Sequence, residues 1–176
     1  DFFKCEEGKN VIRVFTFGHT VTKEEALAGT FPREKYKKEM ELLARPIVRH
    51  FNMSENGAPV LSNDDTMAEY EAAKKSKDKE RAKDIKPSRC YFMNVVDVME
   101  EKPRILPFAC PPSVYNTILG YALDTDYEDR LYGCEGIDLV IEFDKSKQGT
   151  SMYAIRLRPE DKCKKLPSSL QESVVD

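Results

Sequence analysis

The chain has 176 residues, of which 40% are apolar and 34% charged, and its formal net charge is −3. That length suits one domain with a real core, and the charge excludes a globally basic nucleic-acid binder while leaving room for a local basic groove. The five cysteines (Cys5, Cys90, Cys110, Cys134, Cys163) are scattered without a C-x-x-C pair, which argues against a disulfide framework or zinc knuckle and for a reduced, cytoplasmic setting.

Near the start, "NVIRVFTF" (10–17) is β-branched and aromatic. It is predicted to be a strand with Ile12 and Val14 toward the core and Val11, Arg13, Phe15 and Phe17 opposite. An acidic-start helix, a Gly-Thr-Phe-Pro break and a basic helical stretch follow, to about residue 44. "RPIVRHF" and "APVLS" then form a hairpin around an Asn-Gly turn. Residues 63–86 alternate acids with lysines and have almost no apolar periodicity, so an exposed helix or mobile insertion is expected there.

"SRCYFMNVVDV" (88–98) is a strand with apolar residues on both faces. Cys90, Phe92, Val96 and Val98 point one way; Arg89, Tyr91, Met93 and Val95 point the other. A second strand, "RILPFA" (104–109), leads into a helix, "PPSVYNTILGYALD", with Pro near its first turn and Val114, Ile118, Tyr121 and Ala122 on one stripe. In "IDLVIEF" (137–143) Ile137, Leu139, Ile141 and Phe143 alternate with Asp138, Val140 and Glu142. A hairpin, "DKSKQGT", joins it to "SMYAIRLRP" (151–159), where Tyr153, Ile155 and Leu157 alternate with Met152, Ala154, Arg156 and Arg158. The end of the chain, 161–176, lacks packing periodicity and is expected to be a flexible tail on a single domain spanning 1–160. Short strands joined by hairpins, with a helix lodged between them, predict a mainly β (α+β) fold. The form expected is an OB-fold five-stranded barrel with an inserted charged helical segment.

No catalytic constellation is visible, and none of the motifs calls for a cofactor. His19 and His50 are far apart, and nucleophile elbow, Gly-rich phosphate loop and H-E-x-x-H are all missing. The acid pairs around Asp124 and Asp126 read as solvated loop. What recurs is a cation beside an aromatic ring on a strand: Arg13 with Phe15 and Phe17, Arg89 with Tyr91, Arg104 near Phe108, and Tyr153 near Arg156 and Arg158. Lys147 adds a cation in the last hairpin. A single strand of nucleic acid needs a cationic track for its phosphates and flat π surfaces for its unstacked bases. Arginine adds stacking and bidentate phosphate contacts that lysine cannot reproduce. For any one pair the plainer reading, a core ring beside a solvated arginine, competes with this. Uniting Tyr153 with Arg156 and Arg158 on one face requires a bulge.

The succession "NVIRVF", "ARPIVRHFNMSENGAPVLS", charged insertion, "SRCYFMNVVDV", "RILPFACPPSVYNTILGYALD" and "GIDLVIEFDKSKQGTSMYAIRLRP" resembles the single-stranded-DNA-binding proteins of tailed phages, the family of the T-even helix-destabilising protein. The resemblance covers about residues 9–159. It implies a non-enzymatic OB-fold that coats single-stranded DNA with little sequence preference during phage DNA replication, recombination or repair in the host cytoplasm. It leaves room for replication or recombination proteins as partners and for self-association along DNA; no apolar run approaches the length of a membrane span, so no membrane is expected. Family binding positions fall on Arg13, Tyr91 and Tyr153, with Phe108 just before the helix and Tyr115 expected in the core. Many relatives hold zinc with a histidine on the second strand and cysteines in the insertion that follows. His50 stands at the histidine position, but the insertion has no cysteine, so no metal is expected. Two alternatives use the same surface: an RNA-binding OB domain, and a non-catalytic protein-interaction module.

Overall fold

The computed structural model describes residues 1–16, 20–21, 40–41, 44, 48–128 and 130–174. In chain order the elements are β1 (Gly8–Phe15), the short pair β2 (Thr20–Val21) and β3 (Met40–Glu41), and the hairpin β4 (Val48–Met53) and β5 (Pro59–Leu61). Next come helices α1 (Asp64–Lys75) and α2 (Lys79–Asp84), strands β6 (Ser88–Asp97) and β7 (Ile105–Cys110), and helix α3 (Pro112–Ala122). Strands β8 (Leu139–Phe143) and β9 (Tyr153–Leu157) and the short helix α4 (Ser169–Glu172) complete the chain. Phe17 and the helices expected between 22 and 39 lie outside the described residues.

Local chemistry sets the boundaries. The β4–β5 turn uses Gly57 at φ +81, where a Cβ would also lie 3.3 Å from the Cβ of Phe2, so the turn is seated against the N-terminal segment. The insertion is helical because its ends are well capped rather than because it packs. Asn63 accepts a hydrogen bond from the Thr66 N–H at 2.9 Å, Asp64 and Asp65 occupy the first turn, and Lys74 and Lys75 the last. Helix α3 starts at Pro112, whose missing N–H costs nothing in the first turn.

All ladders between named strands are antiparallel, in the order β5-β4-β6-β1-β8-β9, and β7 also pairs with β6. These seven strands form a sheet that is not closed, where an OB-fold, a partly open five-stranded barrel, was expected. The outer edge of β7 is occupied by Phe3, whose N–H donates to the Pro107 carbonyl at 2.8 Å and which bridges Phe108. Among the described residues no ladder joins β7 to β9.

Two apolar clusters lie on opposite faces of β1. The first joins Ile12 and Val14 to Tyr91, Met93 and Val95 of β6, and to the inner stripe of α3. The second joins Val11 and Phe15 to Val96, Val140, Leu166 and Leu170. The C-terminal segment is therefore a packed strap rather than a loose tail, at least to Leu170. It was missed because it inserts two leucines, Leu166 and Leu170, across the outer face of β1 without any repeating pattern. Burying such a side chain is worth roughly 1.5–3 kcal/mol.

Candidate nucleic-acid interface

A cleft of about 900 Å³ opens between the β4–β5–α1 insertion and the end of the main sheet. Among the described residues its cations are Lys4, Arg49, Lys74, Lys86 and Arg89, against one carboxylate, Glu71, which already lies 3.4 Å from the Lys74 ammonium. Tyr70, Phe143 and Tyr153 bring half-buried rings to its wall, and buried Phe108, set edge-on to Phe3 at 5.2 Å, lines it as well. Phe143 and Tyr153 are stacked across the β8–β9 ladder, their centroids 4.9 Å apart and their planes within 14°. The Lys74 ammonium sits 5.3 Å from the Tyr70 ring centre.

The insertion supplies this wall through chain geometry. Strand β4 lies alongside the start of β6, pairing Arg49 with Arg89 and His50 with Ser88, so that both arginines reach the same cleft. His50, in the same wall, is buried, and its Nδ1 donates to the Asn52 carbonyl at 3.3 Å.

Of the residues singled out from the sequence, Arg89, Phe108 and Tyr153 line the cleft. The others that the structure describes are placed elsewhere. Arg13 is fully buried: its guanidinium lies 2.7 Å from Asp138 and donates to the carbonyls of Gly133 and Cys134, each at 3.0 Å, and of Lys164 at 2.9 Å. It thus ties the C-terminal strap to β1 and has no surface to offer a phosphate. Arg158 closes the same network, 3.2 Å from the other Asp138 oxygen. Phe15 is fully buried in the second cluster. Tyr91 is 5% exposed and stacks on Tyr115 at 3.8 Å, so its ring faces the core and not a base. Burial raises its phenol pKa while Arg89 pulls it back down.

Arg104, Arg156 and Lys147 are exposed but lie outside the cleft. They are held 3.3 Å from Asp1, 3.6 Å from Glu142 and 3.3 Å from Asp144. The β8–β9 register runs without a bulge, so Tyr153 remains on the face opposite Arg156. Phe17 lies outside the described residues.

Beneath the cleft are three thiols. Burial pushes Cys5 up to about 12, helped by Asp97, and Cys90 up to about 11; Cys110 is raised by burial, then by Cys5 and Cys90. At neutral pH they are protonated and present soft apolar surface rather than nucleophiles. Tyr153 is likewise raised, first by burial and then by Cys5 and Cys110, so it presents a neutral ring. Among the described residues no three His, Cys, Asp or Glu side chains converge to hold a metal ion, and no helix is long and apolar enough to cross a membrane.

Lys4, Arg49, Lys86 and the ring pairs were missed because their roles depend on the hairpin folding back on β6. The one signal in the sequence was the density of cations flanking that hairpin and strand, "VRHF" and "IKPSR". No protein-family model, curated protein or solved structure matches the chain.

Proposed function

We propose that this protein binds single-stranded DNA, without catalysis, in the cleft between the insertion and the main sheet. The observation that carries the reading is the lining itself: among the described residues, five cations against one paired carboxylate, beside half-buried rings, on a chain whose net charge is −3. Cations neutralise phosphates, and Tyr70, Phe143 and Tyr153 offer π faces on which unstacked bases rest, each worth about 1–3 kcal/mol. Acidic surfaces elsewhere keep the polyanion in the cleft.

The topology supports an open OB-type fold. Strands β1, β6, β7, β8 and β9 make four of the pairings of that architecture, with α3 between its third and fourth strands, and lack the β7–β9 closure. OB-folds bind oligonucleotides with the face of strands 2 and 3 and the loops joining strands 1 to 2 and 4 to 5. Here the long β1–β6 connection contributes Arg49, Tyr70, Lys74 and Lys86, while Phe143 and Tyr153 flank the β8–β9 connection. The order of motifs, which resembles that of phage single-stranded-DNA-binding proteins, points the same way, toward roles in replication, recombination or repair.

The test is a fluorescence-anisotropy titration of labelled oligo-dT at two salt concentrations, with oligo-U and duplex DNA as competitors. Tight, salt-sensitive binding to oligo-dT that duplex fails to displace is expected. Stronger competition by oligo-U would move the assignment to RNA. No binding at low salt would overturn it.

A further inference from the structure

We propose that Arg49 and Arg89 together form a seat for one backbone phosphate, so that a bound strand closes the ladder joining the insertion to the main sheet. This rests on the cleft being the nucleic-acid site. The two arginines are direct partners in the antiparallel β4–β6 register. Directly opposed residues project to the same side with their Cβ atoms about 4.5–5.5 Å apart, and like charges so placed destabilise a ladder.

Among the described residues the β4–β6 ladder has three registered pairs, Val48 with Cys90, Arg49 with Arg89 and His50 with Ser88, and the middle one of these is this pair. Both arginines are exposed and both line the cleft. Among the described residues no carboxylate forms an ion pair with either, and the one acid in the cleft lies beside Lys74. A solvated surface would tolerate two arginines anywhere; opposing them directly across a ladder is unfavourable until an anion lies between them.

A phosphodiester fits that position. Guanidinium groups present paired N–H donors matched to phosphate oxygens, and two of them can grip both non-bridging oxygens at once. The strand would thereby bind to β4 and β6 simultaneously and convert their repulsion into a bridge. Tyr70 on one wall and Tyr153 on the other lie on the two sides that such a bridge would draw together.

The test compares the wild type with Arg49→Gln, Arg89→Gln and the double variant, by oligo-dT anisotropy across a salt series and by thermal unfolding without DNA. One phosphate neutralised contributes about 0.7 to the slope of log affinity against log salt, which is about fivefold in Kd between 1 M and 0.1 M salt. A shared phosphate predicts that the double variant loses about 0.7 from the slope, whereas two separate sites would remove about 1.4. Without DNA, each single variant should unfold no earlier than the wild type, because a repulsion has been removed.

A double variant with an unchanged slope, or one that loses about 1.4, would overturn the shared seat while leaving the cleft as the binding site. An earlier thermal transition in the single variants would make the arginines structural and also overturn it. Failure of the wild type itself to bind oligo-dT would instead remove the underlying assignment.

Discussion

Replacing Arg13 separates an interior role from a DNA contact more sharply than any other substitution. Its guanidinium and the Asp138 carboxylate are both wholly inaccessible to solvent, and three backbone carbonyls complete its shell. Arg13→Met keeps much of the apolar stem but leaves Asp138 buried, with only Arg158 at 3.2 Å to compensate. Breaking a buried pair by removing one partner costs about 3–5 kcal/mol. The carbonyls of Gly133, Cys134 and Lys164 lose a donor as well, so the upper part of that range applies. With a urea m-value of about 2 kcal/mol/M, the unfolding midpoint should fall by about 2–2.5 M. Fluorescence or circular dichroism in urea gives the midpoint, and oligo-dT affinity is measured where the variant remains folded. An unchanged midpoint with lost affinity would show Arg13 reaching DNA and would refute the buried network.

Other outcomes follow from the same packing. Leu170→Ala should destabilise the protein by about 2–3 kcal/mol in a urea titration, at the low end for a buried leucine, because the side chain lies at the rim of the second cluster. Among the described residues the buried Tyr115 hydroxyl has no hydrogen-bond partner, so Tyr115→Phe should unfold at the same urea concentration as the wild type or a higher one. Tyr153→Ala should weaken oligo-dT binding by about 1–3 kcal/mol, measured by anisotropy, through loss of a stacking face. For the thiols, burial raises Cys5 to about 12 and Cys90 to about 11, from an ordinary 9.0. Both therefore hold their protons more tightly when folded. The stability they contribute is complete below pH 9 and is lost as pH rises toward 11–12. With reductant present, the urea midpoint should fall across that window, and less steeply for a Cys5→Ala, Cys90→Ala variant.

Strand positions were legible because period-two patterning is local. The starts of β6 and α3, the alternation of β8 and β9, and the Asn-Gly hairpin all lie within a residue or two of where the sequence puts them. The helical reading of 63–86 rested on charge alternation and is met by α1 and α2. What period two cannot say is which face is covered, and by what. Arg13 and Phe15 sit on the outer face of β1 as expected, but Gly133, Cys134, Asp138 and the C-terminal strap cover that face. Asp138, a lone acid between Ile137 and Leu139, was the one clue that Arg13 had an interior partner. Tyr91 shows the converse: its face leads into the cleft at Arg89 but is already core one residue pair further along β6, where α3 lays Tyr115 against it. The residues that line the cleft thus depend on a long-range fold-back of the β4–β5 hairpin that no local pattern encodes.

The most direct test of a groove-bound single strand is ultraviolet cross-linking of a 5-iodouracil-containing oligonucleotide to the intact protein, with the adducts mapped by peptide mass spectrometry. Adducts are expected on Tyr153, Phe143 or Tyr70, and should diminish when unlabelled oligo-dT competes. Adducts confined to rings away from the cleft, such as Tyr121 and Tyr127, would contradict it.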